Sequence, residues 1–245
     1  EINEVEVPIK IHRYGLAPGS GGAGQHRGGT AIEMWFEALA PNTKITARNM
    51  DRTRFTSWGV QGGGAGSLSY FLLNPGTDKE RDLGNLDFLT IGPGDIIHVA
   101  SGGAGGWGDP LKRNLTLVQQ DVDRGFVSKE SAEQLYGVIF TDDFIDQTKT
   151  NTLRQSMLVR NSTDKSFFDY GKGRTEFELV WTRENYDLLT QILAAAPVHW
   201  RFFIKHRLFS GIGNEVRTSN KEKINMLFDE MLEEFPQLKE SMNFN

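Results

Sequence analysis

The sequence predicts an α+β protein: an N-terminal β-rich layer with glycine loops, sandwich or barrel-like, followed by a helical C-terminal region. Three observations predict it. Short apolar runs of period two fill about the first 110 residues, separated by turn signals such as Asn74-Pro75-Gly76 and Gly92-Pro93-Gly94. After Asp109-Pro110 the apolar period lengthens to that of a helix. Glycine gathers in three stretches of the first half: Gly19 to Gly29, Gly59 to Gly66, and Gly102 to Gly108 with five glycines in seven residues. The expected division is a β-rich core over 1–140 and a helical extension over 141–245.

Each element has its own signal. Val5 to Ile11 alternates apolar and polar residues as a strand with one buried face does, and Pro8 places it at an edge or at a bulge. Thr30 to Leu39 alternates again, with Ile32, Met34 and Phe36 on one side. Lys44 to Arg48, Leu68 to Leu73, Leu86 to Ile91 and Asp95 to Ala100 read as further short strands.

Leu115, Val118 and Val122 then mark one face of a helix that ends before Gly125. Ser128 is a helix cap, Ala132, Leu135 and Tyr136 the buried side, and Gly137 the stop. Val138 to Phe140 reads as a returning strand, Asp142 to Arg160 as a polar helix and Ser162 to Arg174 as a loop. Thr182 caps a helix to Ala196, which Pro197 interrupts. Val198 to Phe209 carries aromatics on nearly every side, and Ser219 to Glu222 is a capping box opening the last long helix.

Composition excludes several classes. The 245-residue chain has a net charge of −5, so it lacks the basic field that nucleic acid requires. No apolar run approaches the length of a membrane span, and no signal-peptide pattern opens the chain, so a cytoplasmic protein is expected. Without cysteine there is neither a disulfide nor a thiolate ligand. The chain begins at Glu1 rather than Met, the expectation being a processed chain or a fragment.

The glycine loops are the centre of the chemical question. Glycine permits positive φ and close approach of backbone to backbone or to a ligand, so these loops are either tight structural corners or the lining of a site. Gly103, Gly105 and Trp107 are the candidate lining residues of the largest loop, and His26-Arg27 presents a cation between two glycine clusters. Gly103 to Gly108 also matches G-x-G-x-x-G, but the next helix is short and no second βαβ unit follows, which argues against a dinucleotide site. His98 feeds the largest loop and, with Asp51 and Arg52 before the second, completes the catalytic candidates. No histidine lies in a metal-ligand spacing, no serine lies in G-x-S-x-G, and no P-loop occurs.

Four ordered segments carry a resemblance. Gly19-Ser20-Gly21-Gly22-Ala23-Gly24-Gln25-His26-Arg27-Gly28-Gly29 is followed by Asp51-Arg52 with Gly62 to Gly66, then by Gly94-Asp95 through Asp109-Pro110, and then by Asp121-Val122 through Tyr136-Gly137-Val138. Together they resemble the hydantoinase B/oxoprolinase family in its C-terminal part. The chain departs from the family pattern at Trp58, Ala104 and Trp107. Ala195 to Arg207 further resembles the tail of the α subunit of the ATP-dependent ketone carboxylases, the acetone carboxylases among them.

The resemblance implies part of such a ligase, most simply one converting acetone and bicarbonate to acetoacetate; an ATP-dependent cyclic amide hydrolase of the hydantoinase or oxoprolinase type is the alternative, and a non-catalytic assembly module the third. It implies ATP and magnesium on a hydantoinase A-like partner subunit and manganese in an N-terminal part of the α subunit that is absent here. A small third subunit would complete a hetero-oligomer, with the helix around Trp200 as an interface.

Overall fold

The computed structural model describes residues 2–47, 51–84, 86–160, 166–214 and 220–242. They form two compact units, Glu1–Gly173 and Arg174–Asn245.

The first unit opens with helix α1 (Ile2–Glu6), then β1 (Ile9–Leu16), β2 (Ile32–Ala38), β3 (Thr43–Ala47), β4 (Gly59–Val60), β5 (Tyr70–Leu73), β6 (Arg81–Asp82), β7 (Leu86–Ile91) and β8 (Ile96–Ala100). The strand expected over Val5 to Ile11 is corrected: Val5 and Glu6 end helix α1, Val7 and Pro8 bend, and β1 starts at Ile9. Pro8 has no N–H to give to a ladder, and the Glu4 carboxylate accepts the Ile11 N–H at 2.7 Å, folding the helical turn back on the strand. Arg48 of the third expected strand, with Asn49 and Met50, lies outside the described residues.

Five strands pair antiparallel in the order β1-β2-β8-β5-β6, an open sheet with two edges rather than a closed barrel. A second pair, β3 with β7, shares one apolar core with it: Phe36, Phe71, Leu73 and Ile97 from the large sheet meet Ala47 and Ile91 from the small one. Period-two patterning puts these residues on one side; the other side of the large sheet carries polar and aromatic groups, taken up below.

The turn between β7 and β8 is Gly92-Pro93-Gly94-Asp95, with Gly94 at φ +87°. Asp95 accepts hydrogen bonds from Asn74 Nδ2 at 2.8 Å and from the Gly92 N–H at 2.9 Å. These donors, the Asn74 amide first, hold its carboxyl below the ordinary 3.8. The folded state therefore favours the carboxylate: its contribution is present above that ordinary value and is lost as pH falls through the lower folded one. Asn74→Gly keeps the positive φ of 51° at that position and removes the amide. Carboxyl titration by NMR should then show the Asp95 midpoint rise.

A short 3-10 turn (Pro110–Lys112) leads into α2 (Leu115–Asp123) and α3 (Lys129–Tyr136). Asn114 and Ser128 cap them, and Gly137 ends α3 at φ +62°. Val118, Val127, Ala132, Tyr136 and Val138 bury a second core that includes Ala23 of the first glycine loop. A two-residue hairpin, β9 (Phe140–Thr141) with β10 (Phe144–Ile145), precedes α4 (Gln147–Arg160), so the polar helix begins later than Asp142. Of the loop expected over Ser162 to Arg174, residues 161–165 lie outside the described residues; β11 (Phe168–Asp169) pairs with β4, and α5 (Lys172–Val180) begins inside it.

The second unit is helical: the rest of α5, then α6 (Arg183–Ala195), α7 (Val198–Ile212), α8 (Lys221–Glu234) and α9 (Pro236–Met242). Pro197 is the N-cap of α7, where its fixed φ and missing N–H cost nothing. On α7, Ile204, Leu208 and Ile212 are buried, Trp200 and Phe203 pack on Phe235, and Val198 and Phe202 stand exposed. Ser219 of the expected capping box lies outside the described residues, and Asn220 makes no side-chain cap at α8. The Asn220 side chain is buried instead, donating to the Val180 carbonyl at 3.3 Å. Among the described residues, no helix is long and apolar enough to cross a membrane.

Candidate functional site

The three glycine loops interlock backbone to backbone. Gly22 N–H donates to Ala104 O at 2.9 Å, Gly106 N–H to Gly64 O at 2.9 Å, and Gly64 N–H to Ala23 O at 2.7 Å, a ring of bonds in which each loop touches the other two. In the third loop the pattern repeats every three residues: Ser101, Ala104 and Trp107 are exposed, whereas Gly103 and Gly106 are buried. Three per turn is the period of a polyproline II chain, whose N–H and C=O groups point sideways and are free to bond neighbouring chains.

Such close packing leaves no room for a Cβ. One built on Gly103 would lie 1.8 Å from the Ser20 oxygen, on Gly105 1.9 Å from the Trp58 oxygen, and on Gly106 2.0 Å from the Ala23 oxygen. At Gly103 and Gly105 the backbone packs against backbone as a tight structural corner does. The sequence carries a signal for this packing: Ser101-Gly-Gly-Ala104-Gly-Gly-Trp107-Gly places a side chain at every third position only.

The other candidates fall into three places. His26 and Trp107 form a β-bridge on the outside of the bundle, their rings 5.4 Å apart. Arg27 turns inward: its Nη1 donates to Gly28 O at 2.7 Å and Thr30 Oγ1 at 2.9 Å, and its Nε lies 3.2 Å from Asp121 Oδ2. Arg113 Nη2 reaches the same Asp121 oxygen at 2.7 Å, so two buried guanidiniums share one buried carboxylate. Asp51 and Arg52 precede β5. The Asp51 carbonyl accepts the Ser69 hydroxyl, Arg52 sits at φ +65°, donates to the Thr56 carbonyl at 3.2 Å and lies 5.9 Å over the Trp58 ring. Among the described residues, no hydrogen bond, ion pair or ring contact joins Asp51 or Arg52 to His98.

His98 belongs to a different constellation, on the side of the large sheet turned away from the apolar core. Its Nε2 lies 3.0 Å from Glu33 Oε2 of β2 and 3.2 Å from the Tyr70 hydroxyl of β5, and its ring stacks on Trp35 at 3.9 Å. Arg13 of β1 closes the row, 2.7 Å from the other Glu33 oxygen. Burial, and then the Glu33 charge, raise the Tyr70 phenol above 10.0. Glu33, Tyr70, Trp35 and Arg13 were not candidates from the sequence, because only strand register brings residues of four strands into one row.

Comparison with known proteins shows what this geometry is similar to. Residues 1–110, which hold all three glycine loops, match the sequence profile of Hydantoinase B/oxoprolinase.

The chain is similar to an uncharacterized protein of Methanocaldococcus jannaschii, 35% identical over 160 residues, covering 63% of this chain and 28% of the relative. Another is the caprolactamase subunit beta of Pseudomonas jessenii, 33% identical over 165 residues, covering 63% of this chain and 27% of that one. The chain thus spans little more than a quarter of the length of the curated relatives it matches. Among solved structures, nucleotide-free acetone carboxylase superposes with a TM-score of 0.53 at 18% identity, over 72% of this chain and 28% of that one, which establishes a shared fold.

Among the described residues, no three His, Cys, Asp or Glu side chains gather in a way that could hold a metal ion. The donor set that manganese needs is not offered by these residues.

Proposed function

We propose that this chain is part of the hydantoinase B-type subunit of a multisubunit, ATP-dependent enzyme acting at a carbonyl group, with a cyclic amide as the substrate. The observation that carries this reading is the 33% identity over 165 residues to a protein named as a caprolactamase subunit. The match of residues 1–110 to the Hydantoinase B/oxoprolinase profile supports it.

In this reading the glycine bundle is the scaffold. Ring-forming hydrogen bonds between three loops make a rigid body with few side chains, and that rigidity holds His26, Trp107, Arg52 and Trp58 at fixed places on its outside. Preorganised donors of this kind stabilise charge developing on a carbonyl oxygen without reorganising during the reaction. ATP and magnesium belong, in this proposal, to a hydantoinase A-like partner, with any manganese on protein outside this chain and a small third subunit alongside.

One alternative is kept because a specific feature favours it. The residues from Ala195 to Arg207 are similar to the tail of ketone carboxylase α subunits, which favours acetone and bicarbonate as substrates.

A single experiment separates the readings: ATP hydrolysis by the native complex containing this chain, with a lactam or hydantoin in one arm and acetone with labelled bicarbonate in the other. Bicarbonate-independent ring opening coupled to ATP is the expected result. Label fixed into acid-stable product only with acetone and ATP would replace the amide reading with carboxylation. Turnover in neither arm, with the complex assembled, would leave this chain an assembly module.

A further inference from the structure

The proton inventory of the His98 row leads beyond that reading. Glu33 lies between the Arg13 guanidinium at 2.7 Å and His98 Nε2 at 3.0 Å. A carboxylate offers only lone pairs, so Nε2 must carry the proton that joins them. The Tyr70 oxygen lies 3.2 Å from that same Nε2. A protonated ring nitrogen has no lone pair for the phenol, so the Tyr70 oxygen takes a share of the Nε2–H as an acceptor. Its own hydrogen is turned away from His98.

Among the described residues, no group accepts that phenolic hydrogen. The raised Tyr70 phenol keeps it in place at neutral pH. The buried indole N–H of Trp35, whose ring stacks on His98, is a second donor left without an acceptor. A donor without a protein acceptor is open to an oxygen that arrives with a ligand. The ring is also fixed in place: Trp35 lies 3.9 Å from it on one side and the Tyr70 edge 4.8 Å away on another.

We propose that the Tyr70 hydroxyl donates a hydrogen bond to the carbonyl oxygen of the substrate, with His98 and Glu33 as positioning residues that keep its hydrogen free. The identity of that oxygen as a substrate carbonyl rests on the function proposed above; the donor state of Tyr70 does not.

Two measurements test it. In the intact, active complex, Tyr70→Phe should lower kcat by about 10²-fold, the scale of a lost oxyanion donor, with KM within about threefold. Glu33→Leu removes the acceptor for the Nε2 proton, lets Nε2 take the Tyr70 hydrogen and should cost kcat similarly, whereas Glu33→Gln keeps an oxygen there and should recover most of that loss. A Tyr70→Phe complex that assembles and retains kcat within about twofold would overturn the proposal.

The second measurement needs no turnover: nitrogen-15 NMR of His98 in the full 245-residue chain. A protonated Nε2 is expected. A neutral ring protonated only at Nδ1 would mean that Tyr70 spends its hydrogen on Nε2, and the proposal fails even if the complex is active. Should the complex turn over neither substrate, the functional reading falls while this tautomer still decides the donor.

Discussion

Gly106→Ala should destabilise the first unit by about 3 kcal/mol or more, at the upper end for an overpacked interior. The added Cβ would lie 2.0 Å from the Ala23 carbonyl oxygen, a contact no rotamer change relieves because both partners are backbone. Ala23 cannot move aside freely, since its carbonyl accepts the Gly64 N–H at 2.7 Å and its side chain belongs to the core with Val118 and Tyr136. The strain therefore spreads through all three loops. At roughly 2–4 °C per kcal/mol for a chain of this size, the melting temperature should fall by about 10 °C.

Gly29→Ala is the matched control. Its Cβ would find only the Ala104 methyl, at 3.8 Å, and its stability should stay within about 0.5 kcal/mol of the native chain. Thermal melts of the two variants side by side decide the point: equal stability would mean that the loops are not packed as described.

Asp121→Ala is expected to cost about 3–5 kcal/mol, because it leaves two buried guanidiniums facing each other with no counter-charge. Arg113 and Arg27 have side chains 9% and 14% exposed, and both reach Asp121 Oδ2. The carboxylate thus ties α2 to the first glycine loop and to the segment after the third. The Arg113 Nη1 bond to the Gln25 carbonyl at 3.1 Å tightens the same junction.

Asp187→Ala removes an exposed partner of Arg183 at 4.0 Å and should change stability by less than about 0.5 kcal/mol. Urea unfolding of the single variants and of the Arg27→Ala, Asp121→Ala pair gives the coupling. The pair should cost clearly less than the sum of its parts, since removing Arg27 relieves the repulsion that Asp121→Ala creates. Strict additivity would show that the two side chains do not interact.

These predictions also mark how far the sequence could be read. Strands β2, β5, β7 and β8 and helices α2, α3 and α6 lie where periodicity and caps put them, because each is specified by local patterning that needs no knowledge of neighbours. Local signals failed where a distant or competing contact decides. Glu4 reaching Ile11 ties a helical turn, which takes in Val5 and Glu6, to the start of the strand. The start of α5 at Lys172 lies inside a stretch whose glycines and charges read as a loop. Its first residues follow the strand pairing of Asp169 with Gly59.

The candidate residues divide in the same way. The glycine loops and His98 were singled out by composition and position alone, and the family by four ordered motifs. Their physical meaning was not contained there. A glycine's freedom says that backbone comes close to something; only the fold shows that at Gly103, Gly105 and Gly106 the something is another backbone. A cation between glycines is open to any anion until Asp121, on a helix far along the chain, is found against Arg27. The sequence by itself determined which segments pair or coil and which residues carry chemistry, because those follow from local period and side-chain type. Tertiary structure alone decided which partners they meet, because register across β1, β2, β8 and β5 sets the single nitrogen on which Glu33 and Tyr70 converge.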